Sequence, residues 1–256
     1  MKNICKKVSL LTLLIVFALT MQAQHTIFLQ QGRIEYQKQL NMHARMNQMS
    51  NGEEDSWTDG LKKGIDQYQI TYFDYSFSNN TTLYKPGREN ETANKNPFWG
   101  EAPAEQNVVY SRLDSMQSIS QKKVFEQLFV VKDSIRPIRW KITDETRKIA
   151  GFDCRRANAI IMDSIYVVAF YTDAIITPGG PESFSGLPGM ILGVALPHEH
   201  ITWFATKVLV DDIKEDALKP PVKGKAVNNK ELNTAISKSI GKWGNWGKAY
   251  IKAILL

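Results

Sequence analysis

Apolar and polar residues alternate through the middle of the chain with the period of strands that bury one face, and the helical period is weak there. Residues 26–39 set Ile27 and Leu29, then Ile34 and Tyr36, on either side of Gly32, which predicts a strand with a bulge or bend. Residues 42–49 carry three methionines at irregular spacing and fit a frayed strand or a short helix. The polar, acidic, glycine-bearing stretch 51–64 is expected to be loop. Residues 65–77 alternate around Tyr68, Ile70, Tyr72 and Phe73, and 81–84 supply a hairpin partner that Pro86 and Gly87 terminate. Residues 88–106, with Pro97 and Pro103, predict a long surface excursion in which Phe98 and Trp99 pack. The sheet resumes over 108–119 and 122–132. It continues as an antiparallel meander over 138–143, 147–162 and 165–172, with turns expected at Asp144-Glu145 and Asp163-Ser164. A last hairpin, 190–196 with 201–210, is closed by residues 197–200.

The tail changes character. Pro220, Pro221 and Gly224 break the sheet, and Asn229 is expected to cap a helix with Leu232, Ile236 and Ile240 on one face. Trp243, Trp246, Tyr250 and Ile254 extend that face past Gly241, Gly244 and Gly247, whose low helix propensity argues against one continuous helix.

At the other end, Lys2, Lys6 and Lys7 precede an apolar run over residues 8–19 and a polar stretch, the layout of a secretory signal peptide over residues 1–23. The run is shorter than the roughly 20 residues a membrane-spanning helix needs, so cleavage after Ala23 and a mature chain without a transmembrane segment are expected. Residues 24–256 are long enough for one β-rich domain with its own core. Only Cys154 follows the leader, so no internal disulfide staples the mature chain. Three of the six net positive charges belong to the leader lysines, and from Lys219 onward eight lysines face one acid, Glu231, so basicity is a property of the tail.

Gly186-Leu187-Pro188-Gly189-Met190-Ile191-Leu192, preceded by Gly180-Pro181-Glu182-Ser183-Phe184, resembles the signature of the GLPGLI family of secreted bacterial proteins, with Met190 in place of the usual Leu. Trp140-Lys141-Ile142, residues 146–149, residues 151–157 and Phe170-Tyr171-Thr172 follow in that family's order. Phe170, where the family tends to have Trp, and Ile176-Thr177-Pro178-Gly179 depart from the pattern. The resemblance implies an exported, β-rich protein of a Gram-negative bacterium and brings no activity with it.

Candidate chemistry follows from the residues themselves. The loop containing Gly180, Pro181, Phe184, Gly186, Leu187, Pro188 and Gly189 suits a rigid backbone device, with Leu187-Pro188-Gly189 fitting a type II turn and Gly189 at positive φ. Its N–H groups line a ligand site, or Phe184 and Leu187 plug the core. Cys154 is a buried core thiol or a thiolate activated by Arg155 and Arg156. His198 and His200 project to one face if they stand on a strand, half of a metal site, and otherwise belong to a surface turn. Asp173 and Glu182 are the first carboxylates to consider for hydrolysis. A nucleophile elbow, a phosphate loop, a helical zinc-protease pair and a close Cys/His set are all missing from the sequence, which lowers the expectation of an enzyme.

The fold expected is therefore mainly β: a twisted antiparallel sheet, open or curved into a half-open barrel, with a C-terminal helix (about 229–256) packed on it. Such a sheet needs a cover or a ligand for its apolar concave face. That favours a non-enzymatic periplasmic or secreted protein that binds or carries an apolar or peptide-like ligand, or serves outer-membrane machinery. A metal-dependent or carboxylate hydrolase and a structural envelope protein are the alternatives. No cofactor is implied, and export argues against nucleic acid.

Overall fold

The computed structural model describes residues 28–49, 56–91 and 103–256, so the expected leader and cleavage site, and Phe98 and Trp99, lie outside the described residues. The first strand is β1 (Gln31–Asn41), followed by the short helices α1 (Met42–Met49) and α2 (Ser56–Lys63). The meander β2 (Tyr68–Ser78), β3 (Thr81–Pro86), β4 (Val108–Arg112), β5 (Gln117–Val124) and β6 (Gln127–Ser134) comes next. A second meander comprises β7 (Lys141–Ile149), β8 (Phe152–Ile161), β9 (Ile165–Thr172), β10 (Met190–Leu196) and β11 (Ile201–Leu209). β12 (Lys225–Val227) leads into α3 (Asn229–Ile240) and α4 (Gly244–Leu255).

These twelve strands form one sheet, in the order β12-β6-β5-β4-β3-β2-β1-β11-β10-β9-β8-β7. Every pairing is antiparallel except β12 on β6, and the sheet does not close into a barrel. It curls nevertheless: the Arg147 guanidinium of β7 lies 4.7 Å from the Phe204 ring of β11, although three strands separate them in the sheet. β1 joins the two meanders. Its inward phase, Ile34, Tyr36, Lys38 and Leu40, is buried without a break, the expected signature of a half-buried strand.

The concave face holds the main core, built from Tyr36, Phe73, Tyr75, Phe77, Tyr84, Phe184, Leu187 and Trp203 with the aliphatics of β8–β11. A second cluster sets Val124, Phe129 and Val131 against Leu232, Ile236, Ile240, Tyr250 and Ile254, so the tail is a docked helical hairpin. The cap of α3 is Asn228, one residue before the expected Asn229. Its side chain accepts from Glu231 N, and the Glu231 carboxylate accepts from Asn228 N. The helix stops at Gly241, and Gly244, at φ 60°, starts α4 in a new direction. Trp243, expected to extend the apolar face of the tail, is instead half exposed.

Two other local expectations are corrected. Residues 56–63 are helix rather than loop, with Asp59 in the first turn, Lys62 and Lys63 in the last, and a Lys62–Asp59 ion pair at 3.3 Å. Asp144-Glu145 is not a turn. β7 is an edge strand exposed along almost its whole length, and a register irregularity between Ile142 and Thr146 absorbs the two acids. The chain reverses instead at Ala150-Gly151, both at positive φ as a type I′ hairpin requires. Among the described residues no helix is long and apolar enough to cross a membrane.

Candidate functional site

The loop between β9 and β10, residues 173–189, crosses the concave face and packs into it. Gly179 and Gly180 are required for that approach. A Cβ at Gly179 would lie 2.0 Å from Tyr75 Oη, and one at Gly180 would lie 2.8 Å from Ile191 Cβ. Phe184 is buried against Trp203 at 5.9 Å between ring centroids, and Trp140 Nε1 donates to Ser185 O at 2.9 Å to hold the rim. Glu182 takes the left-handed conformation (φ 52°), rare outside glycine, and its carboxylate is buried.

Inside the fold that carboxylate meets a polar cluster. Asn107 Nδ2 donates to both its oxygens at 3.3 and 3.2 Å, and the ammonium groups of Lys38 from β1 and Lys122 from β5 supply opposite charge. Burial pushes the Glu182 carboxyl above its ordinary range, and the two lysines and Asn107 oppose that shift. Burial also lowers Lys38, opposed by Glu182 and Glu105, and brings Lys122 down to about 8. Lys38 Nζ sits 5.6 Å from the Trp203 ring centroid and 5.9 Å from that of Phe73. Tyr84 Oη and Trp203 Nε1 lie buried beside each other here, and Asn107 Oδ1 is buried with no hydrogen-bond partner among the described residues.

On the far side of Glu182 lies a cavity of about 50 Å³, room for a few waters or a small polar group. Ser111, Ser118, Ser120 and Ser134 line it from the sheet, and Ser183 and Ser185 from the loop. The end of α4 closes it. Lys122 Nζ donates to Ile254 O at 2.6 Å, Arg136 Nη2 donates to Leu255 O at 2.6 Å, and Ser183 Oγ donates to Leu256 O. Three donors thus converge on consecutive main-chain oxygens at the negative end of a helix, the placement that favours cations. Arg136 Nη1 is buried at the same place with no hydrogen-bond partner among the described residues.

Residues 160–193, which span β9 and this loop, match a family model described as a protein of unknown function, Porph_ging. No curated protein matches the chain in sequence. Two crystal forms of PNGF-II share its fold at TM-scores of 0.52 and 0.53 with 16% identity, over 82% of this chain. The chain spans only about a third of the length of PNGF-II, 33% and 34% in the two forms. An uncharacterized conserved protein from Thermus thermophilus aligns over 77% of this chain and 90% of its own at 5% identity, with a TM-score of 0.39.

Within the Porph_ging match, the residues expected to form a site are divided among cavity, core and rim. Gly180 and Phe184 line the cavity, and Pro181 is buried beside them. Leu187 is core, and Gly186 and Pro188 are exposed on the rim. Gly189 has φ 138°, in the positive range as expected, but the turn is not type II: its N–H bonds to Leu187 O at 2.8 Å, closing a three-residue turn around Pro188. Beyond that match, His198 and His200 stand in a 3₁₀ turn after β10 rather than on a strand, so they do not share a strand face. Among the described residues no group of three His, Cys, Asp or Glu side chains could hold a metal ion. Cys154 is a buried core thiol, pushed up to about 12 chiefly by burial. Asp173 is exposed and Glu182 buried. Sequence reasoning missed Lys38, Lys122, Asn107 and Arg136. Both lysines carried a signal, because each falls in the inward phase of an alternating strand.

Proposed function

We propose that this is an exported protein of the GLPGLI family, processed near Ala23, that binds a peptide-like ligand without catalysing a reaction on it. One observation carries the reading: beneath the signature loop Lys122 and Arg136 hold the carbonyls of Ile254 and Leu255, and Ser183 holds the main-chain oxygen of Leu256. Carbonyls are common to every peptide, so this donor set recognises backbone, and the buried side chains of Ile254, Leu255 and Leu256 mark an apolar preference at the same place. Within the broader expectation of an apolar or peptide-like ligand, the small serine-lined cavity favours a peptide segment over a lipid chain. The occurrence of this fold over about a third of PNGF-II agrees with a module that serves other parts of a protein.

The test is binding of a fluorescent peptide ending Lys-Ala-Ile-Leu-Leu to a chain that stops at Lys252. Saturable binding that is lost in Lys122→Ala and Arg136→Ala is the expected result. If that shortened chain does not fold, mass spectrometry of peptides retained by the intact protein decides. A protein that retains lipid and no peptide, with an unresponsive fluorescent probe, overturns the reading.

A further inference from the structure

Four aromatic rings close a cycle at the end of the sheet where β5 turns into β6. Phe125 stacks on Tyr250 with centroids 5.2 Å apart and planes within 5°, Tyr250 contacts Trp246 at 5.2 Å, Trp246 contacts Trp243 at 5.2 Å, and Trp243 returns to Phe125 at 5.8 Å. Tyr250 is buried and Trp246 partly covered, whereas Phe125 and Trp243 are 42% and 51% exposed. The inner pair thus fixes the outer pair in place. Phe125 also occupies a left-handed turn position, φ 51°, which asparagine or glycine fills at less cost. An exposed phenyl ring held at a conformation that disfavours it needs a reason beyond turn chemistry.

The surroundings identify the chemistry. β12 runs parallel to β6 and begins at this same end, where Gly224 packs on the backbone of Leu128. The residues leading into it place Val222, 83% exposed, at that end of the sheet, with Lys223 exposed beside it and Lys225 following. Lys242, also exposed, precedes Trp243. Glu126 is the acid in the turn itself, so the edge remains net positive. Aromatic and aliphatic tips ringed by lysines form the pattern by which a folded surface inserts shallowly between lipid headgroups while ammonium groups meet their phosphates. We infer that this edge docks the protein on an anionic lipid surface, with Phe125, Trp243 and Val222 entering the interface and Lys223 and Lys242 pairing with headgroups.

Flotation of the full chain with vesicles of equal parts phosphatidylglycerol and phosphatidylcholine tests this, alongside vesicles of phosphatidylcholine alone. Trp243 is read by quenching with brominated lipid, which separates this edge from any contact made by the leader. The expected results are quenching on anionic vesicles only, loss of the quenched component in Trp243→Phe, and at least about tenfold weaker partitioning in Lys223→Glu/Lys242→Glu. Phe125→Asn, which suits the turn, weakens partitioning without lowering the melting temperature. Unquenched Trp243 on anionic vesicles, or partitioning unchanged in the charge-reversed variant, overturns the inference. So does stacking of a neutral oligosaccharide on the same rings with no vesicle response, which assigns the edge to carbohydrate.

Discussion

Lys38 and Lys122 occupy positions that the strand period reserves for apolar side chains, and each carries its ammonium into the concave face. Lys122 reaches the Ile254 carbonyl and feels Glu182, yet burial outweighs that compensation and sets its folded pKa at about 8 against 10.5. Between about pH 8 and 10.5 the unfolded chain therefore binds this proton more tightly than the folded one, so the stability contributed by this group rises with pH across that window. Denaturant midpoints from pH 7 to pH 10.5 should show that rise in the wild type and its loss in Lys122→Met, where no proton titrates. A wild-type profile that falls as steeply as the variant's would mean the ammonium is not desolvated. Gly189 is the second residue-scale case. A Cβ there would lie 2.1 Å from Thr172 O, at a φ that β-branched residues do not adopt. Gly189→Val should lower stability by about 2 kcal/mol or more, read as a melting-temperature drop. The glycine's positive φ was legible in the sequence. Its three-residue turn was not, because Gly189 and Met190 bond according to how the loop seats on Thr172 and Ile175, which is a tertiary matter.

Apolar pattern predicted the elements that have a buried face. β2 and β11 begin and end within a few residues of their alternating segments, because each has an inward face that only apolar side chains satisfy, and β9 and β10, buried on both faces, follow near-continuous apolar runs. β7 did not follow its pattern, since an exposed edge strand has no inward face to betray it. The tail was legible as apolar stripe plus breaker, and its two helices dock on β5 and β6 through Leu232, Ile236, Ile240 and Ile254. Helices of twelve residues are marginal alone in water, so packing and the Asn228 cap hold them. Removal of residues 229–256 should lower the melting temperature and raise binding of an apolar dye, by uncovering Val124, Phe129 and Val131. Unchanged melting would show that the sheet needs no cover there. Leu232→Ala gives the milder form, a loss of about 2–5 kcal/mol at a fully buried site.

At the scale of the molecule, strand content was legible and strand order was not. Nothing in residues 31–41 announces that β1 will pair on one side with β2, a short distance along the chain, and on the other with β11. Glu35 and Thr206, bonded through Thr206 Oγ1 at 2.6 Å, stand 171 residues apart. The polar cluster around Glu182 inherits the same opacity, because Lys38, Asn107 and Lys122 meet the loop only after the sheet has curled.

That central seam also sets an order of events during folding. The meander from β2 to β6 joins neighbours in sequence and can zip from its own turns, with β1 added at its edge through β2. The second meander likewise assembles from β7 to β11 through local hairpins and the longer signature loop. Neither half completes the concave face, since the β1–β11 junction must wait for residue 209 and the helical hairpin for residue 255. Loop-closure entropy over that separation makes the joining step slow relative to the hairpins. A nascent chain therefore presents two half-sheets with open edges until those residues arrive, and a chain threaded through a narrow pore stays without its core until they have passed.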